Sequence, residues 1–148
     1  MGNLIYVSFF VLPIIVLPII VLVVGIIFVM SPPQKTNSIV GYMTSTSMKN
    51  NDTWIFAQKY SAKALLAIGV VSLVLGVIVA VFLPNNAISV GGTFVAPIVL
   101  LNNAIRIGVT LVVQIVLLIL VIPLTETALK KNFDNAGNRK EYGDTRGR

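Results

Sequence analysis

Between residues 41 and 63 the chain gathers groups able to donate, accept or attack: Thr44, Ser45 and Ser47, then Lys49, then Asn50, Asn51 and Asp52. A hydroxyl becomes a nucleophile only beside a base that takes its proton. The chain has no His and no Cys, so Lys49 is the base nearest these hydroxyls in sequence, and a Ser–Lys pair alone is thin ground for catalysis. The same two absences remove disulfides, thiol chemistry, iron–sulfur ligation and the commonest zinc, copper and haem sites. Asp52, Glu126, Asp134, Glu141 and Asp144 are too scattered for a carboxylate metal cage. The expectation is a protein that is not an enzyme and uses no metal or cofactor.

Two further constellations bear on binding. Asn102, Arg106, Thr110 and Gln114 follow at four-residue steps and would line a helix as a polar stripe. Polar groups cost free energy in hydrocarbon, so such a stripe faces other helices or water. Arg106 reads as an outer-boundary residue snorkelling to the headgroups, or as a ligand or gating group. Gln114, deeper, reads as a hydrogen-bond partner between helices. An oligomeric channel or small transporter lined by Asn102, Thr110 and Gln114 is the competing reading. Glu126 stands one turn before Lys130, the favourable order for a helical ion pair. Lys63, at the end of a neighbouring span, is its alternative partner.

The elements that must position these groups are apolar. Hydrophobic residues make up 56% of the 148 and charged ones 11%, against about 25% in soluble domains. A soluble fold of this size could not hide that much apolar surface. The first charged residue is Lys35, and none lies between Lys63 and Arg106. Long uncharged runs of this kind are the transmembrane signal. Residues 4–30 form the first run. No basic residue precedes it, so it reads as a permanent helix rather than a removable signal peptide. Pro13 and Pro18 free the carbonyls of Phe9 and Ile14, which then need a helix neighbour or a hydroxyl such as Ser8. These prolines read as a tolerated bend or as a hinge.

The second span, residues 64–83, ends at Pro84-Asn85-Asn86 and carries Gly69, Ser72, Gly76 and Ala80 on one face. Small residues let helix backbones approach closely in lipid, so another helix packs there, from this chain or from a second copy. The third span, residues 104–131, ends at Lys130-Lys131, and Pro123 is expected to kink its last turns. The linker of residues 84–103, broken by Gly91-Gly92 and Pro97, reads as an external hairpin or a re-entrant segment.

With three spans, ten of the eleven basic residues fall on one side. That side is expected to be cytoplasmic and the N-terminus outside. The fold class is therefore an all-α membrane protein with three transmembrane helices, the first within residues 1–34. Residues 35–63 form a cytoplasmic loop, with Asn51 or Asp52 capping a short interfacial helix that leads into the second span. Trp54 and Tyr60 are expected at headgroup depth. The polar tail, residues 132–148, reads as disordered. The basic residues sit where membrane topology wants them, so the partner they point to is the lipid bilayer and not nucleic acid. A homo-oligomer and a membrane assembly factor both remain open.

Within the loop, Gly41-Tyr42-x-Thr44, Ser47-Met48-Lys49-Asn50, Thr53-Trp54 and Ala57 resemble the signature of the SdpI immunity-protein family. Its usual pattern is a Gly-x-Arg-Thr turn, a Ser or Thr, a downstream Trp (here Trp54, ten residues after Thr44) and an Ala-Asn or similar pair. Thr125-Glu126 and the run from Leu129 to Asp134 are also similar to family members, so the resemblance covers residues 39–134. Met43 stands where the family usually has Arg, Gln58 where Asn or His is frequent, and Ser61 where Gly is common. Met cannot make the directed bonds of a guanidinium. The chain looks like a short member with a single such module. The resemblance implies a bacterial plasma-membrane protein that acts by binding, with Gly41, Thr44, Ser47, Lys49, Trp54, Ala57 and Gln58 as its motif. The best-known member protects its producer against a secreted toxin peptide and holds a winged-helix repressor at the membrane.

Overall fold

The computed structural model describes residues 11–34, 36, 39–82 and 96–140, without the side chains of residues 96–100. Its helices are α1 (Leu12–Met30), α2 (Asn51–Phe82), α3 (Ala96–Ile119) and α4 (Val121–Asn132). Leu12–Met30, Asn51–Phe82 and Leu101–Asn132 are each long and apolar enough to cross a membrane, so α3 and α4 together supply the third candidate span. The described part of the chain is inside-out relative to a soluble domain. Val70, Val74, Val77 and Val81 of α2 and Val109, Val112 and Val116 of α3 face outward, while Ser72, Asn103, Thr110 and Gln114 are buried. Lipid is the solvent that favours this arrangement.

Helix ends follow local chemistry. α1 begins with Pro13 in its first turn, where the missing N–H would be unpaired anyway. It stops before Pro32-Pro33, with Ser31 N–H closing on the Ile27 carbonyl at 2.8 Å. The cap of α2 is Asn50, one residue before the expected Asn51 or Asp52. Asn50 Oδ1 accepts from Thr53 N–H at 2.9 Å, and Thr53 Oγ1 accepts from Asn50 N–H at 3.2 Å, a reciprocal capping box. The expected interfacial helix is the first part of α2 itself, which runs unbroken into the span. α3 starts at Ala96, earlier than the boundary near residue 104, because Pro97 suits a first helical turn. Ala96 is thereby helical rather than part of an external hairpin. Ala87, Gly91 and Gly92 lie outside the described residues, as do Ser8 and the Phe9 carbonyl. The third span is interrupted at Leu120, three residues before Pro123, which has no N–H for the Ile119 carbonyl.

The small-residue face of α2 is covered by α1 of the same chain. A Cβ on Gly69 would meet Leu22 Cδ2 at 2.8 Å, and one on Gly25 of α1 would meet Leu66 Cδ2 at 2.9 Å. Each helix thus offers a notch to a leucine of the other, the packing expected where lipid removes any hydrophobic drive. At Gly76 the approach is backbone to side-chain-less backbone: an added Cβ would lie 2.5 Å from the Ile14 carbonyl oxygen.

That oxygen is the one Pro18 leaves without its helical donor. Gln114 of α3 replaces the missing N–H, with Nε2 at 3.0 Å from Ile14 O and 3.2 Å from Ser72 O. One amide therefore joins all three candidate spans at the bend in the first. Around it Ile14 and Ile107 pack with Val11, Ile15, Val79, Ala80 and Leu111.

Candidate functional site

The motif residues meet at the end of the bundle where the loop returns to α2 and α4. Gly41 has φ +117°, a left-handed conformation that L side chains rarely adopt, and an added Cβ would lie 2.6 Å from Gln58 Oε1. Glycine there lets Gln58, fully buried on α2, grip the next residue from both sides. Its Oε1 accepts Tyr42 N–H at 2.8 Å and its Nε2 donates to the Tyr42 carbonyl at 3.0 Å. The side-chain amide thus copies the pairing of a β-strand neighbour and fixes the loop in register.

Ser47 then organises the turn. Its Oγ accepts from Thr44 N–H at 2.9 Å and shares its proton between the carbonyls of Tyr42 and Thr44, both at 3.0 Å. Ser47 is completely buried, and Lys49 Nζ donates to the Asn135 carbonyl at 2.7 Å. Neither group is engaged with the other as a Ser–Lys pair. Thr44 and Tyr42 instead turn toward Glu126 of α4: Thr44 Oγ1 donates at 2.6 Å and the Tyr42 hydroxyl lies at 3.1 Å. Burial, and then the Glu126 charge, push the Tyr42 phenol well above its ordinary value, so it stays protonated and donating.

The helix-end ion pair is thereby corrected. Glu126 takes loop hydroxyls, Lys130 acts on it only through space, and the ion pair within 4.0 Å among the described residues is Arg139–Asp52, at 3.2 Å. Two hydroxyls bonded to one carboxylate hold it without the side-chain entropy cost of an extended lysine. Glu126→Ala is expected to raise amide exchange in the turn of residues 44–48 by about tenfold, since hydrogen bonds to a charged group contribute about 1.5 kcal/mol or more. Glu126→Gln keeps one acceptor and should give less than half that effect in free energy. Unchanged exchange in the alanine variant would show that Gln58 alone holds the loop.

Trp54 does not face the lipid headgroups with its side chain. It is fully buried, and its Nε1–H donates to the Pro33 carbonyl at 2.8 Å, tying the exit of α1 to the start of α2. Tyr60 does remain partly exposed, stacked on Phe56 with ring centroids 5.9 Å apart. Ala57 is buried against Leu129 and Phe133, a small residue where α2 meets α4.

The tail is ordered through residue 140, contrary to the disorder its composition suggests; residues 141–148 lie outside the described residues. Asp134 Oδ1 accepts the N–H groups of Ala136 and Asn138 at 2.9 and 2.8 Å, and Gly137 supplies φ +90°. The Asn138 amide contacts hold the Asp134 carboxyl below its usual range. Phe133 and Arg139 then pair as an antiparallel bridge, and this hairpin docks on the loop. Asn50 Nδ2 donates to the Gly137 carbonyl at 2.8 Å, Lys49 holds Asn135, and Arg139 lies over the Phe133 ring. The signals were present as the capping spacing of Asn50 and Thr53 and the turn run from Asp134 to Asn138.

The polar stripe divides. Gln114 and Thr110 are buried, Thr110 donating to the Arg106 carbonyl at 2.8 Å. Asn102 and Arg106 are exposed, and Asn103 takes the inward place. Four-residue steps overshoot a 3.6-residue turn, so twelve residues drift by about 120°. The inward row is Asn103, Ile107, Thr110 and Gln114. Lys63 is exposed on α2.

Neither a curated protein nor a solved structure matches the chain. A family model described as the SdpI/YfhL protein family matches residues 34–125, more than half the chain. The match begins at the exit of α1, takes in the whole loop and α2, and stops one residue short of Glu126, so the hydroxyl acceptor and the hairpin lie beyond it. With the motif from Gly41 to Gln58 inside the matched stretch and three helices of spanning length around it, the chain is a multi-pass membrane protein belonging to the SdpI/YfhL family.

Proposed function

We propose that this protein is a non-enzymatic immunity and signalling protein of the bacterial plasma membrane. Its loop end is cytoplasmic and its N-terminus outside. It protects the cell against a secreted toxin peptide, and the platform of loop and hairpin is the surface that holds a cytoplasmic winged-helix repressor. The observation that carries a binding role is the fate of the motif's reactive groups. The Thr44 and Ser47 hydroxyls and the Gln58 amide are committed to internal hydrogen bonds, so they build a rigid surface rather than a reaction centre. A preorganised surface lowers the ordering cost of capturing a partner. The orientation follows from the Lys and Arg distribution.

The channel reading is less well supported, because Asn102 and Arg106 turn away from Thr110 and Gln114. An assembly role through the small-residue face fails on geometry, since α1 already covers it.

Expression in a toxin-sensitive bacterial strain is expected to raise survival by at least tenfold, and Gly41→Ala, which breaks the Gln58 grip, should abolish most of that gain at equal membrane abundance. Unchanged killing at good expression removes the immunity role. Copurification of a winged-helix repressor tests the signalling role separately.

A further inference from the structure

The loop, the end of α4 and the hairpin enclose a cleft of about 430 Å³ that none of the motif hydroxyl chemistry explains. Its floor is Leu129 and Phe133, both buried, and its walls carry Lys49, Lys130 and Lys140. Two of these ammonium groups are pinned in place: Lys49 Nζ by the Asn135 carbonyl and Lys140 Nζ by the Lys130 carbonyl, each at 2.7 Å. A carbonyl uses one of the three ammonium protons and leaves two for a ligand. The carboxylate lining the cleft, Asp134, is already occupied by N–H groups of Ala136 and Asn138. None of the three lysines forms an ion pair within 4.0 Å among the described residues.

The three cations outnumber the carboxylates beside them, Asp134 in the lining and Glu126 near Lys130, so an arriving anion would offset the remaining repulsion. We propose that this cleft binds the phosphate headgroup of an anionic phospholipid. Lys130 stands near the end of the third candidate span, the end that this proposal places beside the lipid phosphates. Lysines at that level are suited to anionic headgroups as point charges, and Leu129 and Phe133 offer the glycerol and upper acyl carbons an apolar bed. The cleft shares the loop-and-hairpin platform of the proposed function, but its lipid test stands or falls without the toxin or the repressor.

The test measures binding of phosphatidylglycerol and of phosphatidylcholine to the purified full chain in mixed micelles. Phosphatidylglycerol should be preferred, and Lys130→Gln and Lys140→Gln should each cut that preference about fivefold. The Lys130 ammonium makes no hydrogen bond among the described residues, so its loss leaves the fold in place. Lys131→Gln is the matched control: same charge change, same helix end, but lining a different cleft with Tyr60 and Leu124. An unchanged preference in this control supports the site. Equal losses in Lys130→Gln and Lys131→Gln would reduce the effect to diffuse surface charge, and equal binding of the two lipids by the wild type would remove the site. Displacement of the lipid by millimolar inorganic phosphate would assign the cleft to the free anion and overturn the headgroup proposal.

Discussion

Gly76→Ala is expected to destabilise the detergent-solubilised protein by about 2–4 kcal/mol, read by thermal or denaturant unfolding followed by circular dichroism. A methyl group is ordinarily welcome in a helix, where alanine is favoured over glycine by about 1 kcal/mol. Here it would lie 2.5 Å from the Ile14 oxygen, a backbone atom that no rotamer change can move. α1 and α2 must separate, and the Ile14 carbonyl that Pro18 deprived of its helical donor then loses the Gln114 amide as well. Overpacking and a buried unpaired carbonyl add. Gly108→Ala is the control, because no atom lies within 4 Å of its added Cβ. That variant should be neutral or slightly stabilising. Equal stability of the two variants would mean that α1 and α2 do not meet at this spacing.

The span count, the small-residue face, the need of the Ile14 carbonyl for an outside donor and the role of Gln114 between helices are all legible in the sequence. They depend on composition, on helical spacing and on the fixed chemistry of proline. The partner in each case is not legible, because it depends on how three helices are arranged around one another. The donor to Ile14 is a hundred residues away along the chain. Asn103, not its neighbour Asn102, is buried, since a repeat of four drifts off the buried face of a 3.6-residue helix. The loop is legible as a unit, but its acceptor is not: charge points to a lysine for Glu126, whereas the Tyr42 and Thr44 hydroxyls bond it. Composition also failed for the hairpin of residues 133–139. A short polar segment looks disordered until its backbone groups are satisfied, and here Asp134, Asn50 and Lys49 satisfy them from three directions.

These local devices form one chain of support from bilayer to platform. Gln114 locks the first span, Trp54 carries that lock to the loop, Gln58 sets the register of the loop, and Glu126 joins it to the third span. The hairpin then seals the remaining face through Asn50. Each link is a polar group hydrogen-bonded to a distant element, so each rigidifies the surface and becomes destabilising when its partner is removed.

Among these links Trp54→Ala is expected to have the largest effect on the platform. Removing a fully buried tryptophan typically costs about 3–5 kcal/mol, through lost transfer free energy and the cavity that remains. The Pro33 carbonyl loses its 2.8 Å donor at the same time. α1 and α2 are held by their own hydrogen bonds and by lipid, so helical content should persist. The loss falls on the segment between them, and residues 33–50 should become sensitive to limited proteolysis while the spans stay protected. Trp54→Phe separates packing from hydrogen bonding: it retains most of the ring volume and removes only the N–H. Its cost should be about 1–2 kcal/mol, with little new cleavage. In the survival assay the alanine variant should lose protection and the phenylalanine variant should keep most of it. If alanine leaves the loop as resistant to protease as the wild type, Trp54 does not tie α1 to the platform, and the rigidity proposed to favour partner binding must come from Gln58 and Glu126 alone.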